Sequence, residues 1–362
     1  MIHHRDPPPL HSLSFMYPHR GKPMKQWTKL SFIIALSTIL CAASPSKKSS
    51  SDHVTAISFH EKTGQLLVGY EDGKLARIDT RRKRGKLHTM DRKKNAIIAI
   101  APNGASAVLD SKPIAVIETK RGKHLAEVSK IDTLEDAVYT PNGDYLLISG
   151  PDKVLIWKDA NNLTSLSRKG IRLEEYLSRQ DGDRIASLGE MHAQMNLLDE
   201  GPTLLFGNKE GLLTLWDMRN EQEANFIAKL PLPHTVRMIH GKIAFVASQE
   251  DKLLHVFYHE NGKRLAWDKS IKADDALSTP EGIAIVLDKT ITLHHPDTGE
   301  VIWTDDALAE GASCGMAFWQ QKKKQHLAVC QDDTITLYDI TSGKKLSRYT
   351  RSKSTIKSLK IK

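Results

Sequence analysis

The chain alternates short apolar runs with polar turns over most of its length. The clearest example is the stretch 191–220, in which three apolar runs end on the pair Trp216-Asp217. The same order of runs and turns recurs in six other stretches, whose third run ends at Asp79, Glu118, Lys158, Tyr258, Pro296 and Asp339. Five of the six intervals between these seven ends are about 40 residues, the length of one four-stranded repeat. The pattern therefore predicts seven such repeats.

The stretch 191–220 resembles a WD40 repeat. The resemblance rests on His192, the apolar Leu204, Leu205 and Phe206, the turn 208–211, and Leu215-Trp216-Asp217. It implies an all-β fold, namely a seven-bladed β-propeller of four-stranded antiparallel blades. Length alone would suggest two domains, but repeats stack into one continuous core. We therefore expect one propeller over residues 53–362.

The longest interval falls between Lys158 and Asp217 and predicts an insertion at about 160–183, in the third blade. Ile171, Leu173 and Leu177, with charged neighbours, indicate a short helix within it. Two interpretations stay open: a plain loop decoration, or an arm that binds a partner, because long inserted loops often carry function.

Two stretches are similar to the glycine-to-tryptophan repeat endings of quinoprotein-type propellers, a family that includes outer-membrane assembly lipoproteins of the BamB type. They are residues 261–267, ending at Trp267, and 298–303, ending at Trp303. The resemblance implies that each tryptophan docks one blade against the next. The equivalent turn at Gly343 has no tryptophan. We therefore expect no bound cofactor.

The segment 354–362 alternates apolar and polar residues like a strand. Because ring closure removes exposed sheet edges, we expect this segment to close the propeller. Two placements stay open: it completes the last blade, or it pairs beside the strand 54–59 of the first.

Residues 24–43 have the composition of an export signal. They start with Lys25 and Lys29, continue with an apolar run at 30–40 and end in small residues. The apolar run is shorter than the roughly 20 residues of a membrane span. We interpret this segment as a signal peptide cleaved after Ala43, which predicts a periplasmic protein.

The residues on either side of the signal peptide are also assigned from their composition. Residues 1–23 are interpreted as an upstream extension that is not native, and residues 44–52 as a Ser/Lys-rich tether. Cys41 supports an alternative, lipidation and anchoring to the outer membrane, although Leu40 fits a lipoprotein cleavage site badly.

Cys314 and Cys330 fall on neighbouring strands of the predicted last blade, nearly opposite one another if the hairpin turns near Lys322. In an oxidising compartment such neighbours can form a disulfide. A shift of one residue places them on opposite faces as two buried thiols. Both interpretations stay open, with separate thiols as the first expectation.

The formal net charge is +9, and many cations cluster in turns that a propeller brings to one face of neighbouring blades. These residues, called the basic patch below, are Arg81, Arg82, Lys83, Arg84, Lys86, Lys322, Lys323, Lys324, Lys344 and Lys345. One interpretation is a contact for an acidic or membrane-associated partner, and the other is a solvated rim. We expect no nucleic acid, because no aromatic residues alternate with these cations.

Side chains with the spacing of catalytic or metal sites are absent from the sequence. His255 and His259 are about 13 Å apart along a strand at 3.3 Å per residue, and the adjacent His294 and His295 face opposite sides. Paired acids fall in turns, where aspartate caps the backbone; they are Asp274-Asp275, Asp305-Asp306 and Asp332-Asp333. We therefore expect no catalytic residue, metal or cofactor.

These features predict a monomeric, noncatalytic platform for protein–protein interaction, exported to the bacterial cell envelope. The insertion and the basic patch are the expected contact regions. Two alternatives remain. An assembly lipoprotein resembling the BamB type would carry a lipid on Cys41, and a quinoprotein-like propeller enzyme would bind a cofactor or metal.

Overall fold

The chain is all-β in the computed structural model. The structure describes residues 53–129, 131–134, 136–140, 143–150, 154–158, 160–163, 171–172, 191–198, 201–208, 212–217, 222–229, 234–240, 243–248, 251–258, 264–265, 267, 271–321, 324–352 and 355–359. The predicted extension, signal peptide and tether, with Cys41, lie outside these residues. No helix in these ranges is long and apolar enough to span a membrane.

The described strands form antiparallel sheets in groups of four consecutive strands, here called units A to G. Unit A contains β1 (Val54–Phe59), β2 (Leu66–Tyr70), β3 (Lys74–Asp79) and β4 (Arg84–Thr89). Unit B contains β5 (Ile97–Ile100), β6 (Ser106–Leu109), β7 (Ile114–Glu118) and β8 (Lys123–Val128). Unit C contains β9 (Asp136–Tyr139), β10 (Tyr145–Ser149), β11 (Val154–Lys158) and β12 (Ile171–Arg172).

The remaining units follow in chain order. Unit D contains β13 (Met191–Leu198), β14 (Gly201–Asn208), β15 (Leu212–Asp217) and β16 (Gln222–Lys229). Unit E contains β17 (His234–His240), β18 (Ile243–Ser248), β19 (Leu254–Tyr258) and β20 (Arg264–Leu265). Unit F contains β21 (Asp275–Thr279), β22 (Gly282–Leu287), β23 (Thr290–His294) and β24 (Val301–Asp305). Unit G contains β25 (Ser313–Gln321), β26 (Lys324–Gln331), β27 (Thr334–Asp339) and β28 (Lys344–Ser352), and β29 (Thr355–Leu359) follows it.

In unit A, burial is greatest on the second strand, β2, and least on the outer strand, β4. Every residue of β2 is buried, which explains its unbroken apolar sequence LLVGY. The outer strand β4 instead alternates exposed and partly buried residues over most of its length. The two sequence patterns therefore reflect two positions within one sheet.

The first strands of the units contact one another in order, from β1 through β5, β9, β13, β17 and β21 to β25, and β25 contacts β1. Units A and G are therefore neighbours although they come from distant parts of the chain. Neighbouring strands within a unit run antiparallel, so the turns after its first and third strands open at the same end. The β3–β4 turn thus lies on the same side as the β25–β26 and β27–β28 turns.

The seam between units A and G is closed by β29. This strand pairs with β28 along its length and with β4 through Ile356 and Gly85, which joins the two units in one nine-stranded sheet. A Cβ on Gly85 would lie 2.9 Å from Cβ of Ile356, so only glycine allows this approach. The closing strand was predicted, but β29 adds beyond the outer edge of β28 rather than beside β1.

The predicted insertion differs from expectation where the structure describes it. Ile171 and Arg172, expected to start a helix, form β12 and pair with Ile156 and Leu155. Ile171 and Leu173 are two residues apart, which is the period of a strand rather than of a helix. Residues 164–170 and 173–183 of the insertion lie outside the described residues.

Candidate basic interface

The β3–β4 turn of unit A projects four consecutive cations. The Oδ1 atom of Asp79 accepts hydrogen bonds from the backbone N–H groups of Arg81 and Arg82, both at 3.0 Å. These bonds to the carboxylate, with the charges of Arg82 and Arg84, lower the pKa of Asp79. Lys83 adopts a φ of 52° to complete the turn. A charged capping aspartate therefore holds the turn while Arg81 to Arg84 face solvent.

Unit G brings further cations to the same place around His326 on β26. Burial lowers the pKa of His326, and the charges of Lys324 and Arg81 lower it further, against the opposing effect of Asp339. The geometry agrees: Thr80, beside Arg81, donates to the carbonyl oxygen of Gly64 at 3.3 Å, and Gly64 packs against Trp319. The ring of His326 packs against that of Trp319, with centroids 5.3 Å apart.

Direct hydrogen bonds fix the two units to each other beside these cations. The indole N–H of Trp319 donates to the backbone carbonyl oxygen of Glu61 at 2.8 Å. The side-chain amide of Gln321 donates to the backbone carbonyl oxygen of Lys62 at 3.2 Å. The β1–β2 and β25–β26 turns are therefore adjacent. This arrangement gives the cations of both units a fixed spacing at their backbones.

The predicted basic patch is only partly assembled. Arg81, Arg82, Lys83, Arg84, Lys86, Lys324 and Lys344 are exposed. Lys345 is not available, because its side chain is 19% exposed and pairs with the carboxylate of Asp305 at 2.9 Å. Lys322 and Lys323 lie outside the described residues. The sequence could not separate Lys344 from Lys345, since the difference is the acidic neighbour from unit F.

Sequence reasoning missed a second group of cations. Lys120, Arg121 and Lys123 occupy the β7–β8 turn of unit B, and Arg92, Lys93 and Lys94 precede β5; all six side chains are exposed. A Cβ on Gly122 would lie 2.5 Å from the carbonyl oxygen of Met90, so these two segments are adjacent. The signal available in the sequence was the recurrence of basic residues in the β3–β4 and β7–β8 turns.

Cys314 and Cys330 are joined in a disulfide, with their Cα atoms 5.0 Å apart. The register shifts between Ser313 and Gly315, and this bulge brings Cys314 beside Cys330. Strict alternation would have separated them, so the first expectation of two separate thiols does not describe this structure. Cys330 is fully buried in the core shared by units A and G.

The two tryptophans of the quinoprotein-like endings pack between units. Trp267 stacks on His294 of unit F with centroids 5.7 Å apart, and Trp303 stacks on Tyr338 of unit G at 5.8 Å. The indole of Trp303 also donates to the carbonyl oxygen of Ile340 at 2.7 Å. Both tryptophans therefore hold neighbouring units together.

His294, one of the histidines considered for metal binding, has other partners. Nε2 of His294 is 2.7 Å from the hydroxyl of Thr292, and Nδ1 is 2.9 Å from the carbonyl oxygen of Gly299. Burial lowers the pKa of His294. His259 lies outside the described residues. Within the described ranges no three His, Cys, Asp or Glu side chains form a metal-binding group.

No protein-family model matches the sequence, and no curated protein is similar to it in sequence. The fold is similar to that of many solved structures. The computationally designed Ika8 protein is 14% identical, with a TM-score of 0.57, over 86% of this chain and 97% of Ika8.

Two natural proteins match in the same way. Sqt1 of Saccharomyces cerevisiae is 12% identical with a TM-score of 0.56, covering 86% of this chain and 97% of Sqt1. The β-propeller domain of Cps50 (Swd1) of Myceliophteria thermophila is 15% identical with a TM-score of 0.52, covering 78% of this chain and 94% of that domain. At such low identities the likeness establishes the fold alone. The chain is an all-β protein whose antiparallel sheets are structurally similar to those of WD40-type β-propellers.

Proposed function

We propose that this chain is a seven-bladed propeller that acts as a noncatalytic protein-binding platform in the bacterial cell envelope, with units A to G as its blades. The observation that carries the proposal is the meeting of the β3–β4 turn with unit G at the seam, where Thr80 donates to the carbonyl oxygen of Gly64 and Gly64 packs against Trp319. Cations from two units meet on one surface that hydrogen bonds hold rigid. Such a surface attracts an acidic partner and speeds its association.

The disulfide supports the envelope location. Structural disulfides persist in the periplasm and other oxidising compartments and are rare in the cytosol. The pair Cys314–Cys330 is therefore consistent with the export signal predicted at residues 24–43.

Intact mass and fractionation of the protein, expressed in a Gram-negative host, test the location. We expect a soluble periplasmic product that begins at Ser44 and carries two hydrogens fewer than the reduced chain. An uncleaved cytoplasmic product would overturn the envelope proposal.

Site-specific photo-crosslinking tests the platform. A photoreactive amino acid replaces Lys83 in the basic patch or, as a matched control, the exposed Lys112 on the β6–β7 turn. We expect a discrete protein adduct at position 83 and none at position 112. Equal adducts at both positions, or none at either, would contradict a binding surface at the patch.

The packing of Trp267 and Trp303 favours a second candidate, an envelope-assembly lipoprotein resembling the BamB type. Both indoles dock one unit on the next, as that resemblance implies. A membrane-bound product with a lipid mass on Cys41 would select this candidate over the soluble platform.

A further inference from the structure

Most of the excess positive charge of the chain lies in one segment. Residues 80–94 contain eight Lys or Arg and a single acid, Asp91, in a protein of net charge +9. The segment runs from the β3–β4 turn along β4 to the connection with unit B. The basic patch at the seam of units A and G is therefore one end of a longer feature.

The other end lies between units A and B. Gly122, with a φ of 66°, packs against the carbonyl oxygen of Met90 and so places the β7–β8 turn beside residues 91–94. We call the combined surface the basic stripe; it consists of Arg81, Arg82, Lys83, Arg84, Lys86, Arg92, Lys93, Lys94, Lys120, Arg121 and Lys123. All eleven side chains are exposed.

Acidic neighbours do little to neutralise the basic stripe. Within the described ranges, one stripe residue forms an ion pair: Arg82 pairs with Asp79 at 3.7 Å. The carboxylate of Asp91 instead accepts hydrogen bonds from the backbone of Lys93 at 3.1 Å and of Asn95 at 2.9 Å, and from the Asn95 amide at 2.7 Å. The one acid of the segment thus caps its own turn.

The centre of the basic stripe has the repeat of an extended chain. On β4 the exposed Arg84, Lys86 and His88 alternate with the partly buried Gly85 and Leu87. Side chains on one face of a strand repeat every two residues, or about 7 Å. An extended peptide with an acid at every second position has the same repeat, so two neighbouring carboxylates of the peptide match the stripe residues Arg84 and Lys86.

We propose that the basic stripe binds an extended acidic segment of a partner protein, with acids at alternate positions. This inference rests on the proposed function and names the partner chemistry. The exposed large apolar side chains of the described residues, Val301, Ile302 and Leu359, lie on β24 and β29 and not on the stripe. Recognition therefore runs through charge and weakens as salt rises. No Phe, Tyr or Trp belongs to the stripe, and these are the side chains on which nucleic-acid bases commonly stack.

Two peptides of equal composition test the match in spacing. One fluorescent twelve-residue peptide alternates Glu and Ser, and the other has the same residues as a block of Glu followed by a block of Ser. Fluorescence anisotropy with the full-length protein is expected to show about fivefold tighter binding of the alternating peptide, since more charge pairs form together. Equal affinities would overturn the proposed spacing while leaving the platform function in place.

Two double variants with the same change in net charge test the location. Lys86→Glu with Arg121→Glu reverses two stripe residues, and Lys112→Glu with Lys272→Glu reverses two exposed lysines elsewhere. The stripe variant is expected to lose about tenfold or more in affinity for the alternating peptide, and the control less than about twofold. An equal loss in both would overturn the stripe as the site.

Competition separates the partner classes. Inorganic polyphosphate, an oligonucleotide and anionic phosphatidylglycerol vesicles are added at equal charge to the protein with bound alternating peptide. We expect each of these three competitors to displace the bound peptide less effectively than unlabelled alternating peptide does. Stronger displacement by one of them would overturn the acidic-segment partner. The crosslink at position 83 reports separately on the platform function, so the two failures are distinguishable.

Discussion

The seams on the two sides of unit G are built differently. Towards unit F, Trp303 stacks on Tyr338 and donates to the carbonyl oxygen of Ile340. Towards unit A, Arg351 donates two hydrogen bonds to the carboxylate of Asp72, at 3.0 and 2.7 Å. These two side chains are only 3% and 4% exposed. The first seam combines aromatic packing with the partly buried ion pair of Lys345 and Asp305, and the second has a fully buried, bidentate ion pair.

The difference follows from the covalent connection of the units. Units F and G are joined by the short segment between β24 and β25, which already restricts how they meet. Units A and G come from distant parts of the chain, so no local connection fixes their register. A buried, bidentate ion pair is strongly directional and costs much to misplace. We infer that Arg351 and Asp72 specify the register of the closing seam.

The largest effect is expected from Arg351→Met. Burial opposes ionisation of Asp72, but hydrogen bonds from Arg351 and Lys74 outweigh it and lower its pKa. Removing Arg351 leaves a buried carboxylate with Lys74 as a cationic partner, which costs about 4 kcal/mol of unfolding free energy. Guanidinium unfolding measures this loss. Arg348→Met, which removes a hydrogen bond to Ala307 at the other seam, is the matched control and should cost under about 1 kcal/mol.

Trp303→Ala tests the aromatic seam and should cost about 3 kcal/mol, from lost stacking, the cavity and the lost hydrogen bond. Trp303→Phe retains the stack and should cost about 1 kcal/mol. The same unfolding experiment distinguishes them. Equal losses in the two variants would show that the hydrogen bond to Ile340, not the stack, dominates this seam.

Reduction of Cys314–Cys330 sharpens the comparison, because the disulfide lies in the core shared with unit A. It closes a loop of 16 residues, for which loss of the constraint costs about 3 kcal/mol. Unfolding with and without reductant measures the effect, with Cys314→Ala/Cys330→Ala as the control that should not respond to reductant. Thiol titration in denaturant is an independent check, and two free thiols before reduction would contradict the bridge.

The two seams also differ in pH dependence. The hydroxyl of Ser313 in unit G donates to the carboxylate of Asp275 in unit F at 3.0 Å, and burial raises the pKa of Asp275 to about 6. Folded protein then holds this proton while unfolded chain releases it, so stability falls as pH rises from about 4 to about 6. For Asp72 the folded pKa is lowered, so its contribution is present above about pH 4 and is lost as pH falls further.

Two asparagine variants test these opposite signs. Relative to the unmodified protein, Asp275→Asn should gain up to about 3 kcal/mol as pH rises from about 4 to about 6, whereas Asp72→Asn should lose relative stability as pH rises towards about 4 and stay level above it. Melting temperatures at several pH values measure both trends. Parallel profiles for the two variants would contradict the assignment of opposite pKa shifts.

The fold could be predicted from the sequence because each repeat carries a local pattern. The apolar run of β2 and the alternation of β4 both follow from burial within one sheet. The placement of β29 could not be predicted, because its partner residue Gly85 lies at the other end of the described chain and several edges offer the same hydrogen bonds.

The candidate site, like the fold, was predictable where it depends on local sequence and not where it depends on contacts between distant segments. Runs such as Arg81 to Arg84 are visible as charge in a turn. Lys345 is removed from the basic patch by its ion pair with Asp305, which lies in another unit. The bulge at Cys314 shifts the strand register by one residue. Such pairings between distant segments, and single-residue shifts of register, leave no periodic trace in the sequence.

The position of β29 also has a consequence for synthesis of the protein. Until Thr355–Leu359 has been made, β4 and β28 lack the strand that pairs with both. Unpaired strand edges invite pairing with other chains. A nascent chain therefore keeps these two edges exposed to aggregation until Thr355–Leu359 has emerged. A ribosome that stops at Ser352 would leave a product with all four strands of unit G but without the strand that joins β28 to β4.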